Sequence, residues 1–209
     1  MPTVLQDCQT KPWLQTDDSQ GQNKPATITP GNPLTCSWTP AKRPQGQPWN
    51  NLYVYQKGSI GAQDSEFALD LAVSYDTAQD LKNCNCFEFE MQQVIGGYLY
   101  NGGWQARFDS NFWWTYNFGA KDWIKSAIPI NSGDFTASKP THISAQYQRI
   151  QGGLKYLTLA VNGMCNQVSF EDAAVPQAGN YLSYAWQLDS RGQGAPINVE
   201  LSAYNVFTF

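Results

Sequence analysis

The chain has 209 residues, room for one sizeable β domain or two small ones, and its 42% hydrophobic content supplies a proper core. Only 14% of residues are charged, the net charge is −4 and no basic cluster is present, which excludes nucleic acid and an anionic membrane as partners. No run of about 18 apolar residues occurs, so no spanning helix is expected.

Residues 1–50 are rich in Pro, Gln, Thr and Asn and almost without periodicity. Pro25, Pro30, Pro33, Pro40, Pro44 and Pro48 forbid a long helix or a central strand there. The segment is expected to be irregular and wrapped onto the rest, with Trp13, Trp38 and Trp49 pinning it. Met1 to Asp7 lacks the basic start and apolar stretch of a leader, and Met1 is read as standing where a leader was removed.

Residues 51–209 read as strand after strand. Leu52 to Gln56 is the first. In Glu66 to Ser74, Phe67, Leu69, Leu71 and Val73 share one face. A short helix or a loop is expected over Ser74 to Leu81. Cys86 to Gln93 alternates, with Phe87, Phe89 and Met91 on one face and Glu88, Glu90 and Gln92 on the other. Acids two apart on a strand lie within about 7 Å. Strands follow at Trp104 to Phe108, Phe112 to Phe118 and Trp123 to Ile128, then at Thr141 to Arg149, with Ile143, Ala145 and Tyr147 inward. Tyr156 to Val161, Tyr181 to Leu188 and Ile197 to Phe209 complete the set. Turns are expected at Gly96-Gly97, Asn101-Gly-Gly103, Gly152-Gly153, Asn162-Gly163 and Arg191 to Gly194. About ten strands with little helix predict an all-β sandwich of two antiparallel sheets.

The five cysteines are Cys8, Cys36, Cys84, Cys86 and Cys165, and the single histidine is His142, so zinc spacing is absent. Two disulfides are expected, Cys8–Cys36 and Cys165 with Cys84 or Cys86, in a secreted or extracellular chain.

From about residue 50 to 209 the strand order resembles the concanavalin A-like lectin/glucanase jelly roll. The acid-bearing strand from Glu88 carries the resemblance. So does Thr141-His-Ile-Ser-Ala-Gln-Tyr-Gln-Arg149 leading into Tyr156-Leu-Thr-Leu-Ala-Val-Asn-Gly163, as does the closing strand Val199 to Val206. Together they also resemble a group of uncharacterised secreted soil-bacterial proteins of this fold, which implies no activity. Hydrolases of this superfamily carry Glu-x-Asp-x-Glu on one strand, as nucleophile, tuning acid and acid/base. The resemblance puts Glu88 at the nucleophile, Glu90 at the tuning acid and Gln92 at the acid/base. A variant with one more residue in the gap puts Gln93 there. An amide cannot act as the acid, so the resemblance implies binding without cleavage. If the chain is an enzyme, a divergent glycoside hydrolase or a polysaccharide lyase, Glu88 and Glu90 are its catalytic candidates. Calcium is the metal that legume-lectin-like or laminin G-like relatives would bring, yet no Asp-rich loop has metal spacing, and no other cofactor is implied.

The residues themselves support a polar floor that hydrogen-bonds a polysaccharide or oligosaccharide. By strand parity its candidates are Glu88, Glu90, Gln92, Gln105, Arg107, Trp113, Asn117 and Gln146. Trp113 is the expected stacking ring, because Phe112, Trp114, Tyr116 and Phe118 share the other parity and read as core. Arg107 reads either as a clamp for a carboxylate or as an ion-pair partner of Glu88 or Glu90. A structural surface protein without ligand is the third alternative.

Overall fold

The computed structural model describes residues 3–7, 13–17, 26–43, 50–59, 61 and 64–209. Two antiparallel sheets form a jelly-roll sandwich. The strands in chain order are β1 (Thr3–Asp7), β2 (Leu14–Asp17), β3 (Thr27–Thr29), β4 (Leu34–Trp38), β5 (Asn51–Gly58), β6 (Glu66–Tyr75), β7 (Cys84–Ile95) and β8 (Tyr98–Arg107). They continue with β9 (Phe112–Asn117), β10 (Asp122–Pro129), β11 (Thr141–Ile150), β12 (Gly153–Val161), β13 (Met164–Ala173), β14 (Val175–Pro176), β15 (Tyr181–Ser190) and β16 (Ile197–Thr208). The back sheet runs β13-β12-β11-β6-β16-β4-β3, with β1 also on β16. The front sheet runs β10-β9-β8-β7-β15-β5-β2, with β14 also on β8.

The period-two pattern explains the layers. Phe67, Leu69, Leu71 and Val73 of β6, with Ile143, Ala145 and Tyr147 of β11, are buried from the back sheet. Phe87, Phe89 and Met91 of β7, with Trp186 and Leu188 of β15, meet them from the front. Where it is described, the N-terminal segment expected to be irregular supplies strands to both sheets: β1, β3 and β4 to the back, β2 to the front. The prolines confine those strands to short pieces, yet Leu34, Cys36 and Trp38 of β4 are buried. The helix α1 (Ala78–Asn83) forms where helix or loop was expected. Its capping box joins the Thr77 hydroxyl to the Asp80 N–H and the Asp80 carboxyl to the Thr77 N–H.

One expected turn is displaced. Gly96 and Gly97, both with positive φ, turn β7 into β8. Asn101-Gly-Gly103 lies inside β8 instead. A Cβ on Gly102 would stand 2.7 Å from the Tyr147 ring and 2.9 Å from Leu154, both of the back sheet. Glycine is therefore needed for sheet-to-sheet contact and not for a bend.

The disulfide expectations are corrected. Cys84 and Cys86 are buried free thiols on β7 of the front sheet, whereas Cys165 is an exposed free thiol on β13 at the edge of the back sheet. Cys36 is also a buried free thiol, and Cys8 lies outside the described residues.

Candidate functional site

The site is built on the outer face of the front sheet, because β7 turns Phe87, Phe89 and Met91 into the core. Glu88 and Glu90 then point outward, at 7% and 8% exposure. Each lies low between neighbouring strands. Glu88 stands between Gln105 of β8 and Gln187 of β15, and Glu90 between Gly103 and Ala185.

Amides and a phenol hold the carboxyls. Gln105 Nε2 and Gln187 Nε2 donate to Glu88 Oε2 at 3.1 and 3.0 Å. Gln92 Nε2 donates to Glu90 Oε1 at 3.2 Å, and the Tyr53 hydroxyl donates to the same oxygen. A third acid, Asp189, continues the row. Its Oδ1 accepts from Gln187 Nε2 at 3.1 Å and from Asn51 Nδ2 at 3.0 Å, and its Oδ2 from the Cys86 thiol at 2.9 Å. Burial raises the pKa of Glu88, and the charges of Glu90 and Asp189 add to it. Burial likewise raises Glu90, against the hydrogen bonds of Tyr53 and Gln92. Burial and the neighbouring Glu90 push the Tyr53 phenol upward as well.

An aromatic wall rises on one side. Tyr116 of β9 packs edge-on against Trp123 of β10 at 5.3 Å and against Phe118 at 5.1 Å. The Arg107 guanidinium lies 4.2 Å over the Trp114 ring and 5.3 Å from that of Trp123, and donates to Gln105 Oε1. Two adjoining cavities sit between wall and floor. One of about 320 Å³ is lined by Asn51, Cys86, Arg107, Asp189 and others. The other, of about 210 Å³, opens over Tyr53, Glu88, Glu90, Asn101 and Gly103. Trp123 and Gln187 line both.

Of the expected residues, the structure brings together Glu88, Glu90, Gln92, Gln105 and Arg107. It does not bring in the other three. Trp113 is fully buried, packed on Phe89 at 6.1 Å and Phe135 at 5.8 Å. The inward and outward parities of β9 are thus the reverse of those expected, with Trp114 and Tyr116 on the groove side. Asn117 shares the inward parity, and its Oδ1 accepts from the Ala120 N–H at 2.6 Å to close the turn into β10. Gln146 is on β11 of the back sheet, accepting from Thr158 Oγ1 at 3.1 Å. Gln93 faces inward and is fully buried, so it offers no second acid/base position. The sequence reading missed Tyr53, Asn101, Gln187 and Asp189, because partners on distant strands give no local signal.

Solved structures similar to this one have the same layers. A legume lectin-like domain from Entamoeba histolytica matches with TM-score 0.55 at 10% identity, over 93% of this chain and 88% of that one. Arcelin-5, a lectin-like defense protein from Phaseolus vulgaris, matches with TM-score 0.51 at 7% identity, over 94% and 98%. The fold is the concanavalin A-like lectin fold. The VIP36 exoplasmic/lumenal domain, solved in a Ca2+/Man3GlcNAc-bound form, matches with TM-score 0.50 at 8% identity, over 94% and 83%. No protein-family model matches the sequence, and no curated protein matches it. At such identities the concanavalin A-like likeness is one of fold. Among the described residues no three His, Cys, Asp or Glu side chains are grouped so as to hold a metal ion.

Proposed function

We propose that this chain is a secreted, lectin-like protein that binds a polysaccharide or oligosaccharide on its front sheet without cleaving it. The observation that carries this reading is the pairing of an amide-held carboxyl row with an aromatic wall over two adjoining cavities. Hydroxyl-rich ligands match it. Rings such as Trp123 and Tyr116 stack on the apolar face of a pyranose, while Glu, Gln and Asn atoms take its hydroxyls. Similar solved structures include lectins, which supports a carbohydrate ligand for this fold. Gln92 argues for binding alone: the position of the acid in the glucanase pattern holds an amide, and that amide is spent on Glu90. Loss of a general acid removes about 10²–10⁴ in rate. Four free thiols remove disulfides as support for secretion; the support left is a surface rich in amides and hydroxyls and poor in charge. No described helix is long and apolar enough to cross a membrane.

A second reading, a glycan-cleaving enzyme, has one specific observation behind it. Glu88 Oε2 and Asp189 Oδ1 accept from the same nitrogen of Gln187, so the two oxygens lie within about 6 Å of each other, and retaining glycosidases hold their two carboxyls about 5–5.5 Å apart. A glycan array beside a reducing-end assay on the same polysaccharides separates the two. Binding without new reducing ends is the expected result. Turnover that disappears in both Glu88→Gln and Asp189→Asn would establish the enzyme instead.

A further inference from the structure

The floor of the groove is rich in carboxyl acceptors, and five side chains each commit a donor to them. Asn51, Gln105, Gln187, Gln92 and Tyr53 each donate to a carboxyl of Glu88, Glu90 or Asp189. The positive charge that acts on this row is Arg107, at one end of it, which works against the rise in the Glu88 pKa. Arg107 donates to Gln105 and lies over Trp114. Lys57 and Lys125 lie over the rings of Tyr181 and Phe112. Asp109 adds a further acid to the larger cavity. No basic side chain lines the smaller one, where Glu88 and Glu90 open.

A second observation is independent of the acids. Asn101 lines the same cavity at 2% exposure, and neither its Nδ2 nor its Oδ1 has a hydrogen-bond partner. A buried amide left unpaired in a native structure calls for an explanation, and a ligand is one. Gly103 keeps the place open: a Cβ there would stand 3.2 Å from that of Glu90 and 3.7 Å from Asn101 Nδ2.

The two observations name different groups on one ligand. Asn101 offers one donor and one acceptor face, which suit a hydroxyl. Glu88 and Glu90 offer carboxyl oxygens that ionise against a cation, which an ammonium satisfies and a hydroxyl meets only in part. The ring is accounted for by Tyr116, Phe118 and Trp123 on the same cavity. Resting on the glycan reading above, the geometry points to an amino sugar, a pyranose with a free ammonium beside a hydroxyl, as the unit held by Glu88, Glu90 and Asn101. Burial raises both carboxyls, and an ammonium between them would draw them back down.

Three β-1,4 oligosaccharides of equal length differ only at C2: those of glucosamine, N-acetylglucosamine and glucose. Calorimetric titration at a mildly acidic pH should show the glucosamine oligomer binding at least about tenfold tighter than the other two. The ratio should fall to near one in the Glu88→Gln, Glu90→Gln double variant, and part of the way in each single variant, which serves if the double one folds poorly. Asn101→Ala should weaken all three. Equal binding of the three oligomers overturns the inference and leaves the groove reading standing, as does an amine preference that survives the carboxyl variants. Binding of none of the three, with other glycans captured on an array, overturns the inference alone. A blank titration with a blank array overturns both.

Discussion

Glu88 and Glu90 are acids that folding makes harder to ionise. Their folded-state pKa values lie above the ordinary 4.5, chiefly through burial. The native state therefore holds more protons than the unfolded chain as pH rises from about 4.5 through the raised values. Stability falls over that window as pH rises. Replacing Glu88 by Gln removes one such group. Thermal melts from pH 4 to 8 should show the variant gaining on the parent protein as pH rises. A parent that gains on the variant with rising pH would mean that the carboxylate is stabilised in the fold. The tryptophans divide by the same reasoning. Trp113→Ala should cost about 3–5 kcal/mol, since it empties a core site. Trp123→Ala, on a half-buried groove wall, should cost far less stability and weaken glycan binding about tenfold or more. Urea melts beside binding titrations measure both. The Glu88 and Glu90 part of the acid row was legible in the sequence because Phe, Phe and Met alternate with Glu, Glu and Gln, whereas Asp189, on a distant strand, was not. The stacking ring was not, because Phe112-Trp-Trp-Thr-Tyr-Asn-Phe118 is aromatic on both parities and alternation cannot choose between them.

At the scale of the element, β8 is the informative strand. Its two glycines face opposite ways and do different work. Gly102 meets Tyr147 and Leu154 across the core, so Gly102→Ala forces a packed ring to move and should destabilise by about 1–3 kcal/mol. Gly103 faces the groove beside Glu90, so Gly103→Ala should narrow the smaller cavity and lower binding with a lesser effect on the melt. Equal losses of stability from the two would contradict the assignment of faces. Gly103 is fixed from behind by Tyr156 of β12, whose hydroxyl accepts from the Gly103 N–H at 3.1 Å and donates to the Asn101 carbonyl at 3.3 Å. In sequence, Asn-Gly-Gly is a turn signal. It stands mid-strand here because what requires small residues is tertiary, a ring from the opposite sheet and an opening over the floor.

For the whole molecule, the period-two pattern identified an all-β sandwich and which face of most strands is inward. It did not say which sheet a strand joins. Gln146 shows the limit: its parity is outward, as expected, but outward from the back sheet, on the far side of the sandwich from Glu88. The thiols show another. Spacing cannot report that Cys84 and Cys165 belong to different sheets. Burial pushes the Cys36 and Cys84 thiols up to about 12 and raises Cys86 well above its ordinary value. Brief alkylation of the native protein should label the Cys165 peptide and spare those of Cys36, Cys84 and Cys86, as read by mass spectrometry. Recovery of Cys165 in a disulfide-linked peptide with Cys84 or Cys86 would refute the arrangement of the sheets.

Every binding prediction above depends on the front sheet being where ligand sits. Amide chemical-shift mapping with the tightest glycan from the array addresses that placement most directly. Binding there should shift the Trp123 indole and amides along β7 to β10 and β15, with Glu90, Asn101, Gly103 and Gln187 among the most affected and Gln146 on β11 silent. Shifts gathered instead on β11 to β13, or on the loop from Asn131 to Ala137, would contradict it.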